Sequence, residues 1–143
     1  DWPWIILYKE LDQAFPGSKF VLTKRKPEKW IRSYKNMLAK QGDAPEELNE
    51  IRRVLYGLPF PNVSESQLIE RYETHNSDVE CYFLSRPGDL LVVDWEEGNG
   101  WNEVCEFLEK DIPSVPFPHV NKGAYSSKSV FSNMLDGFKR WVE

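Results

Sequence analysis

No run of apolar residues in this chain approaches the ~20 that a helix needs to cross a bilayer, so no membrane span is expected. Cysteine is scarce. Cys81 and Cys105 have no metal-ligand spacing, and each lies in a helical apolar pattern. Both are expected to be buried free thiols, which fits a reducing, cytoplasmic setting, and no metal site is expected. There are only two histidines, His75 and His119, which limits the general bases on offer. The eight glycines are scattered. Only Gly98-Asn-Gly100 is clustered, and a lone Gly-x-Gly is a weak sign of a phosphate-binding loop. Basic residues are outnumbered 18 to 23, for a net charge of −5, so nucleic acid is not an expected partner. The chain opens Asp1-Trp-Pro-Trp-Ile-Ile, with neither methionine nor a signal-like segment, and enters a helix at once. Further sequence upstream of Asp1 is therefore expected.

What the chain does have is aromatic and apolar mass. Twenty aromatic residues and a hydrophobic content of 41% argue for a folded globule, and 143 residues suit a single domain over 1–143. Helical periodicity runs from Pro3 to about Ala14, with Trp4, Leu7, Tyr8 and Leu11 on one face. Lys19–Lys24 reads as a strand. Pro27 opens a helix that fades near Gly42, and Asp43 is a candidate cap for the next, which carries Leu48, Ile51, Val54 and Leu55. Ser64 and Gln67 form a capping-box pattern for a long helix through Phe83, and Pro87-Gly88 closes it. Asp89–Asp94 is a second strand, apolar enough for a buried parallel sheet. Trp101–Leu108 is a short helix. Pro113, Pro116 and Pro118 mark an extended loop, and a last amphipathic helix spans Val130 to Trp141. Two buried strands separated by helices imply a parallel α/β sheet with helical covers. Two strands are few for such a sheet, so another is expected upstream.

The segment from Phe20 to Ser33 carries the most chemistry. An apolar strand ends in Arg25, turns at Pro27 and enters a helix bearing Ser33. Ligands of open α/β folds bind beyond the carboxyl ends of strands. A guanidinium there can grip a phosphate through two parallel hydrogen bonds. Between Lys19 and Lys40 there are eight basic residues and one acid, a local charge of +7 that leaves −12 for the rest of the chain. Such asymmetry can focus an anionic ligand. For most of the lysines a solvated helix face is the preferred reading. Arg25 stands apart because of its place at the strand end.

Several stretches together resemble the P-loop sulfotransferases. They are Asp1-Trp-Pro with Tyr8-Lys-Glu-Leu11, Phe15-Pro-Gly-Ser-Lys-Phe-Val-Leu-Thr23, and Arg25-Lys-Pro-Glu-Lys-Trp30 with Ser33. Next come His75-Asn, Arg86-Pro-Gly, Leu90-Leu-Val-Val-Asp94, Gly98 to Trp101, Cys105-Glu-Phe-Leu108 and Phe117-Pro-His-Val-Asn121. The resemblance implies a three-layer, P-loop NTPase-like α/β fold with a parallel central sheet flanked by helices. It implies transfer of a sulfuryl group from 3′-phosphoadenosine 5′-phosphosulfate (PAPS) to a hydroxyl or amine of a small-molecule or glycan acceptor. Arg25 and Ser33 match the positions that bind the cofactor's 3′-phosphate. Lys122 and Gly123 keep two residues of an Arg-Lys-Gly that touches the same phosphate, and a plain surface lysine is the other reading of Lys122.

The chain departs from the family at the Gly-rich loop that holds the 5′-phosphosulfate. Nothing here matches it, and it is expected upstream of Asp1. The catalytic base has His75 as a candidate, against a structural hydrogen-bonding role on the helix face. Tyr72 reads either as an adenine-stacking ring or as core. Two other function classes stand beside the transferase. One is a nucleotide-dependent phosphotransferase, which needs a Walker-type loop and a magnesium-holding Asp such as Asp94. The other is a non-catalytic interaction module of the same fold, using the tryptophans and the Pro-rich loop.

Overall fold

A computed structural model describes residues 3–118. His119, Lys122, Gly123 and the helix expected over 130–141 lie outside the described residues. The order is α1 (Trp4–Ala14), β1 (Phe20–Thr23), α2 (Pro27–Gln41), α3 (Glu46–Tyr56), α4 (Glu65–Tyr82), β2 (Leu90–Val93) and α5 (Trp101–Leu108). A single 3-10 turn at Pro87–Asp89 leads into β2.

β1 and β2 pair in parallel, with Phe20 opposite Leu90 and Thr23 opposite Val93. Lys24 N–H extends the ladder by donating to Val93 O at 2.8 Å. The described architecture is thus a small two-stranded parallel sheet with helices around it, as the strand–helix alternation implies. The full burial expected of the strands is only partly met. Leu22 and Val93 are buried, whereas Val21 and Val92 are exposed.

The helix ends follow local chemistry. Pro27 opens α2, where its missing N–H costs no hydrogen bond. Ser64 caps α4 as its pattern predicts. Its Oγ accepts from Gln67 N–H at 3.2 Å, while Gln67 Oε1 accepts from Ser64 N–H at 2.9 Å. Asp43 does not cap α3. Pro45 holds that position without a side-chain bond, since α3 begins at Glu46, beyond the reach of Asp43. Gly57 ends α3 in the left-handed region, φ 65°, where its missing Cβ removes the usual penalty.

α4 is the spine of the molecule. Its first half packs Leu68 with Ile31 and Tyr34 of α2 and with Phe60 from the loop after α3. Its second half packs Val79, with Phe83 just beyond, against Leu22 of β1. Phe83 is 1% exposed, and burying such a ring is worth about 1.5–3 kcal/mol. Cys81, expected to be buried, is exposed, because it falls on the face of α4 turned away from Val79. Cys105 of α5 is buried, and both thiols are free.

α1 is tied to the far end of α4 by charge. Asp12 is buried and accepts both terminal nitrogens of Arg86, at 2.6 and 3.0 Å, and the Tyr82 hydroxyl at 2.8 Å. The Arg86 bonds, then the Tyr82 bond, hold the Asp12 carboxyl below its ordinary value. No helix among the described residues is long and apolar enough to cross a membrane.

Candidate functional site

Arg25 leaves β1 one residue past the ladder, and its backbone is held from the side by α4. The Tyr72 hydroxyl accepts from Arg25 N–H at 2.9 Å and donates to Arg25 O at 3.0 Å. One phenol thereby satisfies both main-chain groups of a residue that belongs to neither strand nor helix. Tyr72 is fixed in turn by stacking. The Trp30 ring lies 4.4 Å from it and 5.2 Å from Tyr34 on its other neighbour side, both nearly parallel. Tyr72 is therefore a half-buried support for Arg25, with protein partners on its ring and its hydroxyl.

The Arg25 guanidinium reaches across to the loop after β2, where its NH2 pairs with Glu96. Its Nε is buried and has no hydrogen-bond partner among the described residues. Lys29, in the first turn of α2, reaches the other oxygen of the same carboxylate at 2.9 Å. Lys26 pairs with Glu97 at 3.4 Å. Glu96 is pulled below the ordinary carboxylate range by Lys29 first, with Arg25 and Arg32 adding to it. Lys29 is raised for the same reason.

The loop that carries these acids is shaped by its own side chains. Asp94 N–H donates to Asn99 Oδ1 at 2.8 Å, and Glu96 N–H donates to Asp94 Oδ1 at 2.9 Å. Glu103 Oε2 then accepts from Gly100 N–H at 2.6 Å, at the start of α5. Asp94 organises this turn through its main-chain N–H and its Oδ1.

Ser33 lies exposed on α2, one turn beyond Lys29 and on the same helical face. Arg25, Lys29 and Ser33 thus share the end of β1 and the opening turns of α2. His75 lies elsewhere on α4, half-buried, with its ring 6.1 Å edge-on from Tyr8 of α1. Burial, then the nearby Arg71 charge, pushes it below 6.5. That shift favours the neutral imidazole over the charged one.

The basic segment is mostly neutralised by distant acids. Lys24 pairs with Glu80 and Lys35 with Glu65, both on α4, besides the pairs to Glu96 and Glu97. Sequence reasoning passed over Arg52, which is 4% exposed and donates to Gln41 Oε1 at 2.6 Å and Asn49 Oδ1 at 3.3 Å. It fastens α3 to the end of α2. No spacing signal in the chain announces a buried arginine with amide partners. Among the described residues no group of three or more His, Cys, Asp or Glu stands close enough to hold a metal ion.

A cation thus stands at a strand end, with a buried Nε that has no partner among the described residues, before a Pro-opened helix. The profile of the sulfotransferase domain matches residues 1–125. The chain belongs to the sulfotransferase domain family. That span takes in every described element of this sulfotransferase domain, from α1 through α5. The chain is also 28% identical over 160 aligned positions to "Ava biosynthesis cluster protein M" of Aspergillus versicolor. The alignment takes in 99% of this chain but only 59% of that relative's length.

Proposed function

We propose that this sulfotransferase domain belongs to a PAPS-dependent enzyme of three-layer P-loop architecture, and that Arg25 and Ser33 receive the cofactor's 3′-phosphate. The observation that carries the reading is Arg25. Its backbone is pinned by Tyr72 and its Nε is buried without a partner among the described residues, at the carboxyl end of a parallel strand. Phosphate oxygens suit such a nitrogen. Lys29 adds charge from the same turn, and the Ser33 hydroxyl a donor one turn on.

When bound, the cofactor supplies the sulfuryl group, which passes to an acceptor hydroxyl or amine. The acceptor's proton needs a base, and His75, whose neutral form burial favours, takes that role in this reading. Lys122 and Gly123 would complete the 3′-phosphate contacts. The acceptor is a small molecule or glycan, and the two free thiols support a cytoplasmic setting.

Calorimetric titration with adenosine 3′,5′-bisphosphate tests the central assignment. Arg25→Ala is expected to weaken binding by about 1.5–3 kcal/mol, roughly ten- to hundredfold. An Arg25→Ala protein that binds as well as the parent removes Arg25 from the site.

A further inference from the structure

The Arg25 cluster already contains an anion, and it comes from the protein itself. The Glu96 carboxylate takes Arg25 with one oxygen and Lys29 with the other, as a bound phosphate oxygen pair would. Its position is not incidental to a floppy loop. The Asp94 turn and the Asn99 bond hold residues 94–99 in the conformation that presents Glu96 to the cations. At the same time Arg25 Nε has no partner among the described residues, so Glu96 satisfies the guanidinium incompletely. A tetrahedral anion reaching both Nε and NH2 would satisfy it better.

Resting on the assignment of Arg25 to a phosphate, we propose that Glu96 is an internal competitor for that phosphate, a latch that must leave Arg25 and Lys29 before the anion binds. The apparent affinity for any anion at Arg25 is then the intrinsic affinity reduced by the fraction of molecules with the latch open. Two exposed-to-half-exposed ion pairs hold the latch, so the closed state is favoured by a modest factor, and ionic strength loosens it. Opening frees Lys29 as well as Arg25, so the anion meets two cations at once. Glu97 supplies an internal comparison. It carries the same charge one residue on but, among the described residues, its ion pair is with exposed Lys26.

The test uses adenosine 3′,5′-bisphosphate and inorganic phosphate as separate probes in calorimetry on the parent, Glu96→Gln, Glu97→Gln, Arg25→Ala and the Arg25→Ala/Glu96→Gln pair. The latch predicts about three- to tenfold tighter binding in Glu96→Gln, by the same factor for both probes. It predicts less than twofold change in Glu97→Gln, and a smaller gain from Glu96→Gln once Arg25 is gone, because only Lys29 is then left to be freed. Equal gains in Glu96→Gln and Glu97→Gln would mean only a general field effect and overturn the latch. Equal affinity of parent and Glu96→Gln, with binding lost in Arg25→Ala, overturns the latch while the phosphate assignment stands. No binding of either probe to parent or Glu96→Gln overturns both. Glu96 is exposed and outside every helix and strand, and far-ultraviolet circular dichroism of each variant confirms that the fold is kept.

Discussion

Replacing Tyr72 with phenylalanine removes one oxygen atom and leaves the aromatic stack with Trp30 in place. That oxygen is the partner of both Arg25 N–H and Arg25 O, at 2.9 and 3.0 Å. Each such bond contributes a net ~0.5–1.5 kcal/mol, and both main-chain groups would be left without a protein partner. Their surroundings are only partly buried, so water can recover some of the loss. The expected destabilisation is about 1–2 kcal/mol, which for a chain of this size lowers Tm by roughly 3–8 °C. Urea denaturation followed by far-ultraviolet circular dichroism measures it. The slope with denaturant should not change, because the surface exposed on unfolding is nearly the same. The variant should also bind adenosine 3′,5′-bisphosphate more weakly, although Tyr72 itself is not proposed to touch the ligand. Positioning through the backbone predicts both losses together. A variant as stable as the parent within about 0.3 kcal/mol would refute the reasoning, because two hydrogen bonds would then have carried no net energy.

Phe83→Ala should cost about 3–5 kcal/mol, since the ring is 1% exposed and seated among Leu22, Val79 and Phe20, and a chemical denaturation midpoint reads it directly. Ser64→Ala should lower stability by about 1 kcal/mol through loss of the α4 capping box, and Ser64→Asp should restore most of it. Asp12 is held below its ordinary value in the folded chain, so its contribution is present above about pH 4 and is lost as pH falls below that. In Asp12→Asn that part of the acid-side decline in Tm should vanish. His75 should titrate below 6.5 by proton NMR, and because the unfolded chain takes up that proton first, stability should decline as pH drops below about 6.5.

Elements set by local chemistry were legible in the sequence. Pro27, the Ser64–Gln67 pair, the apolar tetrad before Asp94 and the Trp101–Leu108 periodicity each produced the expected element, because caps, breakers and periodicity act within a few residues. The place of Arg25 at the end of a parallel strand was legible for the same reason. What surrounds Arg25 was not. Glu96 lies 71 positions away and Tyr72 lies 47 away, and no one-dimensional pattern links them. The pairing of Arg86 with Asp12, 74 positions apart, was equally invisible. Cys81 was misplaced because α4 is half-covered on most of its length, so a loose apolar pattern there does not define the buried face. Asp43 had the right chemistry for a cap but stood three residues before the first helical turn.

The stack of Tyr34, Trp30 and Tyr72 has a consequence for how this domain can be watched. Three rings held nearly parallel at 4.4 and 5.2 Å, in a fixed chiral arrangement, give near-ultraviolet circular dichroism that survives only while the packing is native. Tyr72 ends that stack and bonds to the main chain of Arg25. A shift of Arg25 is thereby passed to a chromophore without any label. The spectrum of the domain reports on the strand end from within, and Trp30→Phe identifies which band carries the signal.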